Sequence, residues 1–135
     1  MNFKLKYLSP LLFTKDLAQT ISFYETILGF KAQSNFPNFV SLTRDDVNIM
    51  FVLPTQEPEE GKDPGTKEEF FSRPQLTGNI FIFTDQVDQI WESVKNKVTI
   101  KSPIADRAYL MRDFSILDNN GYELVFGEDI SNKNR

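Results

Sequence analysis

Apolar residues dominate from Leu5 to Phe13, and then the spacing changes. Leu17, Ile21, Tyr24 and Leu28 recur at intervals of three to four residues, the period of one helical face. Asp16 precedes this stretch as a candidate N-cap and Gly29 follows it as a stop, so the pattern predicts a helix over "LAQTISFYETIL". Three strand-like runs come next, "FKAQSNF", "NFVSLTR" and "VNIMFVLP", with Asp45 and Asp46 marking the turn between the last two. The order to this point is one strand, one helix, three strands.

Residues 54–77 are rich in Pro, Gly and acidic residues, a composition that favours a solvated connector. Phe70 and Phe71 inside it leave a lid as the alternative. The first pattern then returns. "GNIFIFTD" reads as a strand, and "QVDQIWESVKNK" places Val87, Ile90, Trp91 and Val94 on one helical face, where Trp91 is expected to be core. "VTIKSP" reads as a short strand, and "AYLMRDFSILD" with "YELVFGE" forms a hairpin around Asn119, Asn120 and Gly121. At an offset of 70 residues Phe13 and Thr14 align with Phe83 and Thr84, Leu17 with Val87, and Gln19 with Gln89. An internal duplication accounts for the repeated order. The units are bounded at about 5–53 and 78–128, with the connector over 54–77 and a short polar tail over 129–135.

The composition narrows the chemistry. A chain of 135 residues with 40% apolar residues and thirteen Phe suffices for one core-bearing domain. The net charge of -4 comes without a clustered basic face, which argues against a nucleic-acid partner. No apolar run approaches membrane-spanning length, and the N-terminus shows no cleavable leader, so a cytoplasmic protein without a membrane partner is expected. The lack of Cys permits a reducing compartment. The lack of His removes the commonest general base and the commonest transition-metal ligand together.

The pieces Asp16-Leu17, Phe23-Tyr24 and Leu28-Gly29-Phe30, followed by the turn and last strand after Gly121, resemble the vicinal oxygen chelate superfamily. That superfamily includes glyoxalase I, extradiol dioxygenases, fosfomycin-resistance enzymes and bleomycin-resistance proteins. The resemblance runs from Leu5 to about Glu128. It implies an α+β fold of two tandem βαβββ units whose mixed, curled sheets form a cavity, commonly in a homodimer. Enzymes of the superfamily hold a divalent ion through four positions, which fall here on Ser9, Met50, Asn79 and Val125. None is a good ligand, so the expectation is no metal, no cofactor and no catalytic residue.

If the cavity is retained, strand alternation gives its lining. Leu11 accompanies Ser9, Val52 accompanies Met50, and Phe81 and Phe83 follow Asn79. Tyr109, Met111, Asp113, Ser115 and Glu123 share the face of Val125. Asn79 inside an apolar strand needs either a structural partner or a wet cavity. Glu128, of opposite parity at a strand end, reads as a solvated carboxylate. Asp113 and Glu123 would give the lining a negative field and a preference for cationic aromatic ligands, unless Arg107 or Arg112 pairs with them.

The function this implies is metal-free sequestration of a small, drug-like molecule in a dimer crevice, as in bleomycin-resistance proteins. One alternative is a glyoxalase- or dioxygenase-type lyase or transferase with a divalent site rebuilt around Glu123. The other is a non-catalytic structural or regulatory module.

Overall fold

A computed structural model describes residues 3–34, 36–54 and 76–132. The connector, with the lid alternative at Phe70 and Phe71, lies outside the described residues apart from its ends. The chain divides into two compact units, Met1–Phe70 and Phe71–Arg135.

In the first unit β1 (Leu11–Phe13) leads to α1 (Leu17–Thr26), and β2 (Lys31–Gln33), β3 (Phe39–Arg44) and β4 (Val47–Val52) follow. Asp16 is the N-cap, its carboxylate accepting from Gln19 N at 3.0 Å. Gly29 ends the segment at φ 73°, a left-handed conformation that a Cβ disfavours. Asp45, at φ 52°, makes the tight β3–β4 turn. The sheet order is β1-β4-β3-β2, with β1 parallel to β4 and the other pairs antiparallel. Leu12, Val40, Leu42, Ile49 and Phe51 are buried with Tyr24 and Leu28 of the helical segment. Tyr24 meets Phe30 and Phe51 with ring centroids 5.4 Å apart in each case.

The first strand is shorter than the apolar run from Leu5 to Phe13 suggests. Pro10 has no N–H for the ladder; its carbonyl accepts from Met50 N at 2.9 Å, and pairing begins at Leu11. Phe3, Leu5, Tyr7 and Leu8 are exposed.

The second unit repeats the order: β5 (Ile80–Phe83), α2 (Val87–Val94), β6 (Thr99–Asp106), β7 (Met111–Leu117) and β8 (Glu123–Asp129). Its sheet, β5-β8-β7-β6, has the same topology, with β5 parallel to β8. The duplication reaches into detail. Thr14 N donates to Val52 O at 3.0 Å, and its counterpart Thr84 N donates to Gly127 O at 2.8 Å. The Thr14 and Thr84 hydroxyls accept from Asp16 N and Gln86 N at 3.2 and 3.1 Å. Phe114, Ile116, Leu124 and Phe126 are buried with Val87 and Val94 of α2. Phe114 meets Trp91 at 5.0 Å and Phe126 at 5.3 Å, so the half-buried Trp91 packs against the core.

Two differences from the sequence reading stand out here. The strand read as "VTIKSP" continues to Asp106, with register shifts between Ile100 and Ser102 and between Ser102 and Ala105. Glu128 is not solvated: it is 7% exposed, and its carboxylate accepts from Val87 N, the first residue of α2, at 3.1 Å. The residue before that helix, Gln86, supplies no side-chain cap, so the open helix end draws a carboxylate from β8.

Candidate functional site

Each sheet buries one face under its own helix and turns the other away. In the first unit the ladder puts Leu11 opposite Met50 and Met50 opposite Ser41, with Phe13 and Phe39 opposite Val52. Leu11, Met50 and Val52 therefore share the helix-free face, as strand alternation predicts. Ser9 reaches that face just ahead of β1. Its hydroxyl donates to Asn48 Oδ1 at 2.6 Å and to the Asn48 carbonyl at 3.1 Å. Asn48 Nδ2 in turn donates to Ser41 Oγ and Thr43 Oγ1 at 2.7 and 2.8 Å. Sequence reasoning missed this hydroxyl and amide cluster, although Asn48 has the parity of Met50.

The second unit carries the other nine candidates. Phe81 pairs with Val125 and Val125 with Ser115; Phe83 pairs with Gly127 and Gly127 with Asp113; Glu123 pairs with Leu117. The helix-free face of β5, β8 and β7 is thus Phe81, Phe83, Glu123, Val125, Gly127, Met111, Asp113 and Ser115, in the register the alternation implies. Phe81 and Phe83 lie with ring centroids 4.8 Å apart, and Phe83 is 72% exposed. A Cβ on Gly127 would stand 2.6 Å from Phe81 Cζ and 3.0 Å from Met111 Cε. The missing side chain at 127 is what lets both groups lie against the sheet. Asn79 is exposed just ahead of β5, so the burial argument made for its amide does not apply.

Tyr109 lies in the β6–β7 turn rather than on a strand, yet its hydroxyl donates to Asp113 Oδ2 at 2.6 Å. That bond holds the phenol proton and is the main reason its pKa stands above the ordinary 10.0, with burial and the Asp113 charge adding and Arg107 opposing. Asp113 is 4% exposed and also accepts from Arg107 Nε at 2.8 Å. Arg107 Nη2 donates to Ser102 Oγ at 3.0 Å and to the carbonyls of Pro103 and Asp113 at 2.7 and 3.2 Å. Glu123 pairs with Lys101 at 3.4 Å. Arg112 is turned to the helix side, where it bonds Asp88 and Asp106.

The negative field expected from Asp113 and Glu123 is therefore neutralised by Arg107 and Lys101, and the preference for cationic ligands loses its basis. Near-neutral polar groups around two aromatic rings remain. A divalent site shared by Glu123 and Asp113 is also ruled out by register. Glu123 stands opposite Leu117 and Asp113 opposite Gly127, four residues or about 13 Å along the ladder.

The sequence that folds into these repeated βαβββ units also matches a known family model. Residues 4–126 match the Glyoxalase/Bleomycin resistance protein/Dioxygenase superfamily. The chain belongs to this superfamily.

Among solved structures of the same fold, TioX from Micromonospora sp. ML1 is 15% identical at TM-score 0.71, covering 92% of this chain and 98% of its own. A glyoxalase/bleomycin resistance protein/dioxygenase from Alicyclobacillus acidocaldarius is 15% identical at TM-score 0.69, covering 98% of each chain. The bleomycin-binding protein of bleomycin-producing Streptomyces verticillus, solved with copper(II)-bleomycin, is 17% identical at TM-score 0.67, covering 92% of this chain and 96% of its own. At these identities the likeness is one of fold. The comparison with curated proteins finds no match.

The metal that superfamily enzymes hold does not fit the residues present. Ser9 and Met50 in one unit, and Asn79 and Val125 in the other, offer a hydroxyl, a thioether, an amide and no donor at all. The Ser9 proton is committed to Asn48. Without a carboxylate, imidazole or thiolate these positions lack the donors that hold a divalent transition ion tightly. Among the described residues no group of three or more His, Cys, Asp or Glu is placed to hold an ion, and no helix is long and apolar enough to cross a membrane.

Proposed function

We propose that this member of the superfamily is a small-molecule binding protein that sequesters an aromatic, drug-like compound on its helix-free sheet faces without metal chemistry. The observation that carries the reading is the pair of rings Phe81 and Phe83 on the open face of β5, beside a polar frame whose charges are already paired. Apolar surface with a few fixed polar groups is the composition that binds small molecules, and exposed aromatic rings in contact invite a third. The likeness to a bleomycin-binding protein supports the same reading at the level of fold. Homodimerisation, a cytoplasmic setting and a role in antibiotic resistance belong to this proposal, supported by family habit and a cysteine-free composition.

Calorimetric titration with matched neutral, cationic and anionic aromatic compounds tests it. Binding of the neutral series, weakened by Phe83→Ala, is expected, together with sedimentation as two 15.6 kDa chains. Heat absent for every compound would sink the binding reading.

A further inference from the structure

Among the described residues of the second unit's helix-free face, the side chain of Ser115 is the one that the fold itself does not explain. Ser115 is 2% exposed, and its Oγ has no hydrogen-bond partner among the described residues. Its two cross-strand neighbours are Val125, whose side chain has no polar atom, and Ser102, whose hydroxyl already accepts from Arg107 Nη2. Two residues along β7 on the same face, Asp113 is committed to Arg107 and Tyr109. The polar groups around Ser115 are thus tied to one another, and its hydroxyl is left over. A buried hydroxyl with no partner destabilises a fold, and a purely structural position would carry Ala or Val at no such cost.

Resting on the reading of this face as a ligand surface, we infer that Ser115 is its hydrogen-bonding anchor, and that the face selects uncharged aromatic molecules bearing a hydroxyl or carbonyl group. The selectivity follows from the neighbours. Phe81, Val125 and Met111 supply apolar contact, and Gly127 gives the Phe81 ring room to lie low over β8. A cationic or anionic ligand would have to break the Arg107–Asp113 or Lys101–Glu123 pair to find a counter-charge. A neutral ligand with one polar group needs only the unpaired hydroxyl. Phe81 and Met111 lie against the sheet at Gly127, on the same face as Ser115, and the inference requires these side chains to move for a ligand to reach the hydroxyl.

Three probes of similar shape separate the possibilities: 2-naphthol, naphthalene and 2-naphthylmethylammonium, titrated into the full chain and followed by amide shifts of Ser102, Ser115 and Val125. The expected result is that 2-naphthol binds more tightly than either relative, and that Ser115→Ala weakens it about fivefold, the worth of one net hydrogen bond, while leaving naphthalene unchanged. Equal weakening of 2-naphthol and naphthalene, or of neither, overturns the anchor while leaving the binding reading intact. If no probe moves those amides, both fail together. The stability of the unliganded variant gives a separate test. Ser115→Ala should leave the urea midpoint unchanged or raised, because it removes an unpaired hydroxyl; a lowered midpoint would show that the hydroxyl has a partner within the protein and would overturn the inference.

Discussion

Replacing Glu128 by Ala tests the unexpected contact between β8 and α2. The carboxylate is 7% exposed and accepts from Val87 N at 3.1 Å, at a helix start where Gln86 offers no side-chain cap. A hydrogen bond to a charged group contributes about 1.5–3 kcal/mol, and the favourable helix-dipole interaction accounts for about 0.3–1 kcal/mol of it. The Ala variant leaves the Val87 N–H buried without its acceptor, so the loss should be about 2–3 kcal/mol. Glu128→Gln keeps an acceptor oxygen and should lose about 1 kcal/mol. With a urea m-value of about 1.5 kcal/mol/M, the Ala variant should unfold at a midpoint lower by about 1.3–2 M. An eight-residue helix has little stability of its own, so the effect should appear in the global transition. A second substitution sharpens the test. Gln86→Asp puts back the cap that Asp16 provides in the first unit, and should restore about 1 kcal/mol in the Ala background while adding little to the native chain. A midpoint for Glu128→Ala within about 0.3 M of native, or equal gains from Gln86→Asp in both backgrounds, would refute the capping argument.

Gly127→Ala should cost about 1–2 kcal/mol, because the new Cβ displaces the Phe81 ring and the Met111 methyl. Adding Phe81→Ala should recover part of that loss, and additive urea midpoints would show that the two sites do not touch. Tyr109 holds its proton more tightly in the folded chain than in the unfolded one, so its contribution is fully present below pH 10.0 and is lost as pH rises through the raised folded pKa. Native stability should therefore fall more steeply above that pH than stability of Tyr109→Phe, and superimposable profiles would exclude the Asp113 bond. Protein purified without chelator should carry well under one equivalent of divalent metal, with a melting temperature unmoved by EDTA. Elemental analysis showing stoichiometric metal would refute the lack of a divalent site at Ser9, Met50, Asn79 and Val125.

Most of the fold was legible because its signals are local. The period of 3.6 over Leu17–Leu28, the Asp16 cap and the Gly29 stop each act within one turn, and the Asp118–Tyr122 closure follows from the residues of the turn itself. Strand alternation then assigned the faces correctly for Phe81, Phe83, Ser115, Glu123 and Val125, because a period of two leaves no third option. The reading of Glu128 failed on a partner distant in sequence. The place of Glu128 at a strand end predicts solvation, but what decides its environment is a helix start 41 residues earlier. The neutralisation of Asp113 is of shorter range: the β6–β7 turn, in which Arg107 N donates to Met111 O at 2.7 Å, brings Arg107 beside the acid six residues later. The late start of β1 has a visible cause in Pro10.

The two halves also show how one structural need is met in two ways. By register, Phe13 stands opposite Val52 as Phe83 stands opposite Gly127, so Leu53 and Glu128 occupy equivalent places. The first half caps its helix from the preceding residue, Asp16, and has apolar Leu53 at that place. The second has Gln86 before its helix and takes the carboxylate from β8 instead. This exchange gives β8 two adjacent residues with duties on opposite faces: Gly127 makes room for Phe81 and Met111, and Glu128 fastens the strand to α2. A strand held at its neighbouring residue cannot shift to relieve crowding at Gly127. Crowding there should consequently be relieved by side chains, Phe81 and Met111 first, so loss of the Glu128 anchor should soften the penalty of Gly127→Ala while each substitution alone destabilises. A cycle between positions 127 and 128 that closes additively would show the two faces of β8 to be independent.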